Sequence, residues 1–195
     1  NTGAFDLASA RHHAQPLDGD LVSRMAGIAQ RHSTWLHGGS FTERADDGRF
    51  FNTSVLFGPD GSLEAVYRKI HVFGYGGEAD LMSAGPELVL VNTPLGATGL
   101  ATCYDLRFPE QFRELTRRGA SAFLITSGWP SARIQAWDVL VRARAIEDQA
   151  WVIAPYLLCA PRLFDPDATR RITLGTLVQA SNAFAKVFEV PAVPV

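Results

Sequence analysis

GLATCYDLRFPEQFRELTRRGASAFLITS, residues 99–127, is the stretch whose reading decides the fold. Its apolar opening ends at Cys103, Pro109 stands where a helix can begin, and Gly119 stands where that helix stops. SAFLITS then reads as a buried strand, so the segment is strand, helix, strand. Downstream, Ile134 to Gln149 is helical, with Trp137, Leu140, Val141, Arg144 and Ala145 on one face, and AWVIA reads as another strand. Alternation of this kind over residues 97–154 implies crossover connections, adjacent parallel strands and helices covering them. The class is α/β.

Upstream, Asp18 and Gly19 precede a second amphipathic helix, in which Leu21, Met25, Ile28 and Ala29 form the apolar stripe. TWLHGGSF and FFNTSVLF read as strands, and the turn residues Gly58 to Gly61 come before SLEAVYRK, so residues 50–68 form a hairpin. ELVLV and ATGLAT are two more strands, joined through Asn92, Thr93, Pro94 and Leu95. The hairpin adds antiparallel members, which predicts a mixed sheet. No internal repeat or low-complexity tract interrupts the chain, and its 195 residues fit a single domain, 1–195.

Composition narrows the function. A net charge of -2 supplies no basic stripe of the sort that nucleic acid or an anionic membrane selects. Apolar runs such as LVLV and WVIAPYLLCA are too short to cross a bilayer, so the expectation is a soluble, cytoplasmic protein. Two cysteines, Cys103 and Cys159, make a disulfide framework improbable in a chain of this length, and no Cys/His spacing suggests zinc.

Taken alone, Cys103 reads as a small buried hydrophobe, as most free cysteines do, and Cys159 reads the same way. Position argues otherwise for Cys103, because nucleophiles of open α/β sheets gather at the carboxyl ends of strands, where backbone N–H groups can cradle an oxyanion. Tyr104 N–H is the candidate donor. YRKIHVFGYGGEADL adds a lysine that closes a strand and, after a glycine-rich loop, Glu78. An ammonium beside a thiol favours the thiolate and can hold the negative oxygen of a tetrahedral intermediate, so Lys69 suits either task. His71 is the rival base of a Cys/His enzyme, and on a strand it would share a side with Lys69.

YRKIHVF, Glu78 in GGEADLMSAGPE, GLATCYDLRFPE, SGWP and RARAIEDQAWVIA, in that order, together resemble the nitrilase superfamily of carbon-nitrogen hydrolases over about residues 17–154. The resemblance implies an αββα sandwich, usually paired through its helices into a homodimer, a Glu-Lys-Cys triad and no cofactor. It implies that Cys103 is the nucleophile, Lys69 the triad lysine, Glu78 the supporting second glutamate and Tyr104 the oxyanion-hole residue through its amide. Trp129 falls where the family lines its substrate pocket, with core packing the equal alternative, and Arg107 and Glu110 fall where they would knit the following helix into the sheet.

The wording CYDLRFPE resembles the Nit and omega-amidase branch, which implies hydrolysis of a small carboxamide carrying a nearby carboxylate; nitrile and N-carbamoyl hydrolysis use the same residues. The family's general-base glutamate sits in an early Pro-Glu dipeptide that this chain begins too late to contain, and neither Glu43 nor Glu64 is promoted in its place. A scaffold or regulatory subunit without a complete triad is therefore the competing reading, and a Cys/His acyltransferase or peptidase using His71 is a third. FDPDA (Phe164 to Ala168) is expected as the family's late turn.

Overall fold

The structure is a computed structural model, and it describes residues 7–74, 77–159, 173–180 and 185–190, with side chains as far as residue 155 apart from 131. The chain divides near residue 91 into two compact units.

The first unit, residues 4–91, is built on a three-stranded antiparallel meander of β1 (Leu36–Arg44), β2 (Phe50–Phe57) and β3 (Leu63–Arg68). The expected hairpin over residues 50–68 is present as β2 and β3. It does not join the mixed sheet, however, because β1 pairs along the free edge of β2 and the short local connections close a separate sheet. Helix α2 (Asp20–Arg31) follows the six-residue helix α1 (Leu7–His12) and lies on this sheet, packing Val22, Met25 and Ala29 on Val55 and Phe57. The stripe is rotated from the expected one: Val22 is buried and Ile28 is 42 % exposed. Met25 packs closely against β1 at Gly38, where a Cβ would come within 2.3 Å of Met25 Sδ and the methionine would have to shift.

The second sheet has the order β4-β5-β6-β7-β8-β9: β4 (Leu90–Thr93), β5 (Gly96–Thr102), β6 (Ala122–Pro130), β7 (Trp151–Cys159), β8 (Thr173–Ala180) and β9 (Ala185–Val190). β5, β6 and β7 are parallel neighbours, as the alternating pattern predicts, and β8 and β9 continue the sheet antiparallel, which makes it mixed. β4 begins at Leu90, later than the expected 87–91; before it, Ser83 and Gly85 are tied by their N–H groups to the Phe50 and Lys69 carbonyls. The β8–β9 hairpin is not anticipated by the sequence reading, and FDPDA lies outside the described residues.

Between β5 and β6, helix α4 (Pro109–Arg117) buries Phe112 and Leu115, with the Phe112 ring edge-on to Phe123 of β6 at 5.1 Å. Between β6 and β7, α5 (Ile134–Asp148) buries Trp137, Val141, Arg144 and Ala145, while Leu140 is half-buried. The buried Arg144 is accommodated by an ion pair to Glu147 at 2.7 Å and by the Phe112 ring beneath its guanidinium. No helix among the described residues is long and apolar enough to cross a membrane.

Candidate active site

Lys69 is the residue after the last of β3, and its backbone is held on one side by β2 and on the other by the segment after residue 82. Its N–H donates to the Asn52 carbonyl at 2.8 Å, and its own carbonyl accepts the Gly85 N–H at 2.8 Å. A Cβ on residue 85 would lie 2.0 Å from the Arg68 carbonyl oxygen, so this second strap requires glycine. The side chain is 2 % exposed and its ammonium donates to Glu78 Oε2 at 2.6 Å. Glu78 opens the four-residue helix α3 (Glu78–Leu81) behind Gly77, which turns the chain at φ 81°. Its carboxylate also accepts the Phe73 N–H on Oε2 at 2.7 Å and the Asn52 Nδ2 on Oε1 at 2.6 Å. Burying a charge is costly unless it is paired and hydrogen-bonded, and here a lysine and a glutamate are buried as one satisfied group. Lys69 and Glu78 are thus brought together. His71 is half-buried past the end of β3, so the strand argument that placed it beside Lys69 does not apply.

Glu43 and Glu64 are otherwise engaged. Glu43, 1 % exposed, accepts from Thr53 Oγ1 at 2.6 Å and from Arg68 Nε at 2.8 Å, with a second Arg68 nitrogen on its other oxygen. That partnership holds the Arg68 guanidinium firmly protonated, chiefly through the hydrogen bonds to Glu43. Glu64 is exposed and accepts from the Ser62 hydroxyl.

In the second unit, Cys103 follows β5 directly and opens a 3-10 turn over Cys103–Arg107. Its φ is 50°, the left-handed region that a residue with a Cβ adopts at a cost of about 1–2 kcal/mol. A reciprocal capping box holds the bend: Thr102 N–H donates to Asp105 Oδ2 at 2.8 Å, and the Thr102 hydroxyl accepts the Asp105 N–H. Asp105 and Leu106 are fully buried, which anchors the turn in the core. The half-buried thiol donates to the Gly128 carbonyl of β6 at 3.6 Å. Strand end, left-handed residue and turn together make a strained corner that lifts a side chain to the carboxyl end of a parallel sheet, the usual place for a nucleophile.

The carbon-nitrogen hydrolase model matches residues 1–179. The chain belongs to the carbon-nitrogen hydrolase family. It is 43 % identical over 161 residues to a 2-oxoglutaramate amidase of Paenarthrobacter nicotinovorans, covering 77 % of this chain and 54 % of that protein. It is 35 % identical over 194 residues to a deaminated glutathione amidase of Yersinia enterocolitica, covering 93 % of this chain and 65 % of that protein. The chain therefore spans about half to two-thirds of the length of these relatives. Among solved structures, Nit3 of Saccharomyces cerevisiae, from branch 10 of the nitrilase superfamily, superposes with a TM-score of 0.80 at 24 % identity, over 98 % of this chain and 69 % of Nit3. The nitrilase-like α/β fold is shared.

Other residues of this carbon-nitrogen hydrolase chain sit differently from their expected places. Trp129 lies within β6, not after it, because the strand runs on to Pro130. It is 3 % exposed, donates its indole N–H to the Arg133 carbonyl at 2.8 Å and packs 5.0 Å from Trp137. Arg107 is exposed, and its guanidinium lies 5.3 Å above the ring of Trp129 on β6. Glu110 is exposed as well, and Asp105 ties the turn to the end of β5 by accepting the Thr102 N–H. Tyr104 is half-buried and meets Phe108 edge-on. Sequence reasoning passed over Asn52, Thr102 and Asp105. The Thr-x-x-Asp spacing of a capping box was a readable signal for the last two, and nothing local marks Asn52. Among the described residues, no group of three or more His, Cys, Asp or Glu side chains is placed to hold a metal ion.

Proposed function

We propose that this protein is a thiol amidase that hydrolyses a small carboxamide to an acid and ammonia. The observation that carries the reading is Cys103, left-handed at the carboxyl end of β5, with its bend secured by a fully buried Asp105. The Cys103 thiolate attacks the amide carbon, a C–S bond forms, and the carbonyl π pair moves to oxygen. The Lys69 ammonium and the Tyr104 N–H hold that oxyanion, and Glu78 orients the lysine. The nitrogen takes the proton that left the thiol and departs as ammonia when the C–N bond breaks, leaving a thioester. Water, deprotonated by the general base, then attacks the thioester, and the thiolate leaves with the acid released. With Glu43 committed to Arg68 and Glu64 to Ser62, the general base is assigned to neither.

A substrate with a carboxylate near its amide suits the exposed Arg107, four residues past Cys103 on the same turn, where a guanidinium can pair with it bidentately. The relatives named for 2-oxoglutaramate and deaminated glutathione favour the same class. Trp129 enters as the platform beneath Arg107. A homo-oligomer is inferred from α5, where Val139 and Ile146, 62 % and 52 % exposed and two helical turns apart, leave apolar surface for a second copy. Two cysteines in 195 residues, one of them serving as a thiol, favour the reducing cytoplasm.

The test is ammonia release from short carboxamides, 2-oxoglutaramate first, by the full-length protein, with mass detection of an acyl adduct on Cys103. Cys103→Ala should abolish release with the fold intact; retained turnover would remove the assignment. Arg107→Ala should raise KM for carboxylate-bearing amides selectively.

A further inference from the structure

Asn52 touches the lysine-glutamate group twice. Its main-chain carbonyl accepts the Lys69 N–H, and its side-chain Nδ2 donates to Glu78 Oε1 at 2.6 Å. The two carboxylate oxygens of Glu78 are held separately: Oε2 by Lys69 and the Phe73 N–H, Oε1 by Asn52. A carboxylate facing three donors can rotate only by giving one up. The Asn52 amide is fixed in its turn, since an ionised carboxylate only accepts and Nδ2 must face it. Its Oδ1 then points away, buried and with no partner among the described residues. A buried polar atom left unpaired works against stability, so this amide is not placed for stability alone.

We propose that Asn52 is a positioning residue, which through the donor end of its amide locks the Glu78 carboxylate and, through that, aims the Lys69 ammonium. The proposal rests on the reading of Lys69 as the oxyanion group. An oxyanion exists only in the transition state and the tetrahedral intermediate, so a misaimed ammonium lowers kcat and leaves KM nearly unchanged. What matters is the polarity of the amide, not its volume. Asn52→Asp keeps the shape but sets a second carboxylate against Glu78. Two carboxylates at hydrogen-bond distance share a proton, and the shared proton supplies the missing donor. The defect should therefore shrink as pH falls.

In the Cys103-dependent ammonia assay with the full-length protein, Asn52→Asp should lower kcat about 10- to 100-fold, the size of effect seen when a supporting hydrogen bond to a functional ligand is removed. KM should stay within about threefold. The ratio of variant to wild-type kcat should rise toward low pH, and Asn52→Ala should lose kcat without that pH dependence. The double variant Asn52→Asp/Glu78→Gln, in which glutamine donates to aspartate, should recover part of the loss relative to Asn52→Asp. Urea midpoints on the same samples normalise each rate to folded protein. Asn52→Ala or Asn52→Asp with wild-type kcat and pH profile, beside a fully active wild type, would overturn the role of Asn52 alone. A wild type that releases no ammonia in a Cys103-dependent way would overturn the reading of the site, and the Asn52 role with it.

Discussion

Removing the charge of Glu78 while keeping its shape tests whether Lys69 is a buried, paired ammonium. At an effective dielectric of about 20, unit charges separated by the 2.6 Å of this contact attract by roughly 6 kcal/mol. Desolvating the pair takes back much of that, but deleting one partner leaves the other charge buried alone, which costs about 3–5 kcal/mol. The hydrogen bonds of Glu78→Gln can all be rebuilt. The glutamine oxygen takes over from Oε2 in accepting Lys69 and Phe73, and its amide faces Asn52, whose unpartnered Oδ1 can swing round to receive it. The penalty is then one of charge. With a urea m-value of about 2 kcal/mol/M, a loss of ~3 kcal/mol lowers the unfolding midpoint by about 1.5 M. Lys69→Met/Glu78→Gln, in which neither charge remains, should be more stable than the sum of the single losses by at least about 2 kcal/mol. A midpoint drop under about 0.3 M for Glu78→Gln, or strict additivity in the cycle, would refute a buried ion pair.

Gly85→Ala should lower the midpoint by more than about 2 kcal/mol equivalent, because its Cβ would sit 2.0 Å from the Arg68 carbonyl and the strap on Lys69 must open; thermal melting checks it. His37 on β1 has a pKa lowered to about 4 from 6.5 because burial disfavours its charged form, and its Nε2 has no partner among the described residues. The unfolded chain takes up a proton below pH 6.5 that the native state refuses until about pH 4, so stability present above pH 6.5 is lost as pH falls through that window. In urea titrations at pH 7 and pH 4.5, His37→Gln should lose this part of the slope. At Cys103, φ 50° predicts that Cys103→Gly melts higher than Cys103→Ala, by about 1 kcal/mol equivalent, while both are inactive; equal melting would mean the corner is unstrained.

Periodicity made most of the fold legible. The strand-helix alternation over residues 97–154 was readable because parallel strands and their covering helices have different periods, and turn residues mark each change. Two features were hidden for physical reasons. Whether the β2–β3 hairpin joins the other strands or closes with β1 depends on edge pairing between segments, which no local pattern encodes. Trp129 looked like a residue beyond its strand because Gly128 and Pro130 flank it, yet β6 continues through all three. In the candidate site, the residues that carry charge or a thiol were legible by type. Asn52 was not, since an asparagine in a strand announces nothing until the carboxylate from 26 positions away is folded against it.

Lys69 and Cys103 follow one pattern of construction. Each is the first residue after a strand, where the backbone is still guided by the sheet and the side chain is released from the alternation of the pleat. Each is then fixed by groups later in the chain: Glu78 and Gly85 return to Lys69, and Asp105 returns to Thr102 beside Cys103. Both anchors are buried acids that accept from backbone N–H groups, Phe73 in one case and Thr102 in the other. A carboxylate so engaged cannot readily turn toward solvent, and the loop or turn that carries its partner is held with it. This explains how residues outside regular secondary structure attain the fixed geometry that chemistry requires. Within its own unit, Glu78 holds the Lys69 ammonium, and Asp105 holds the turn that Cys103 opens.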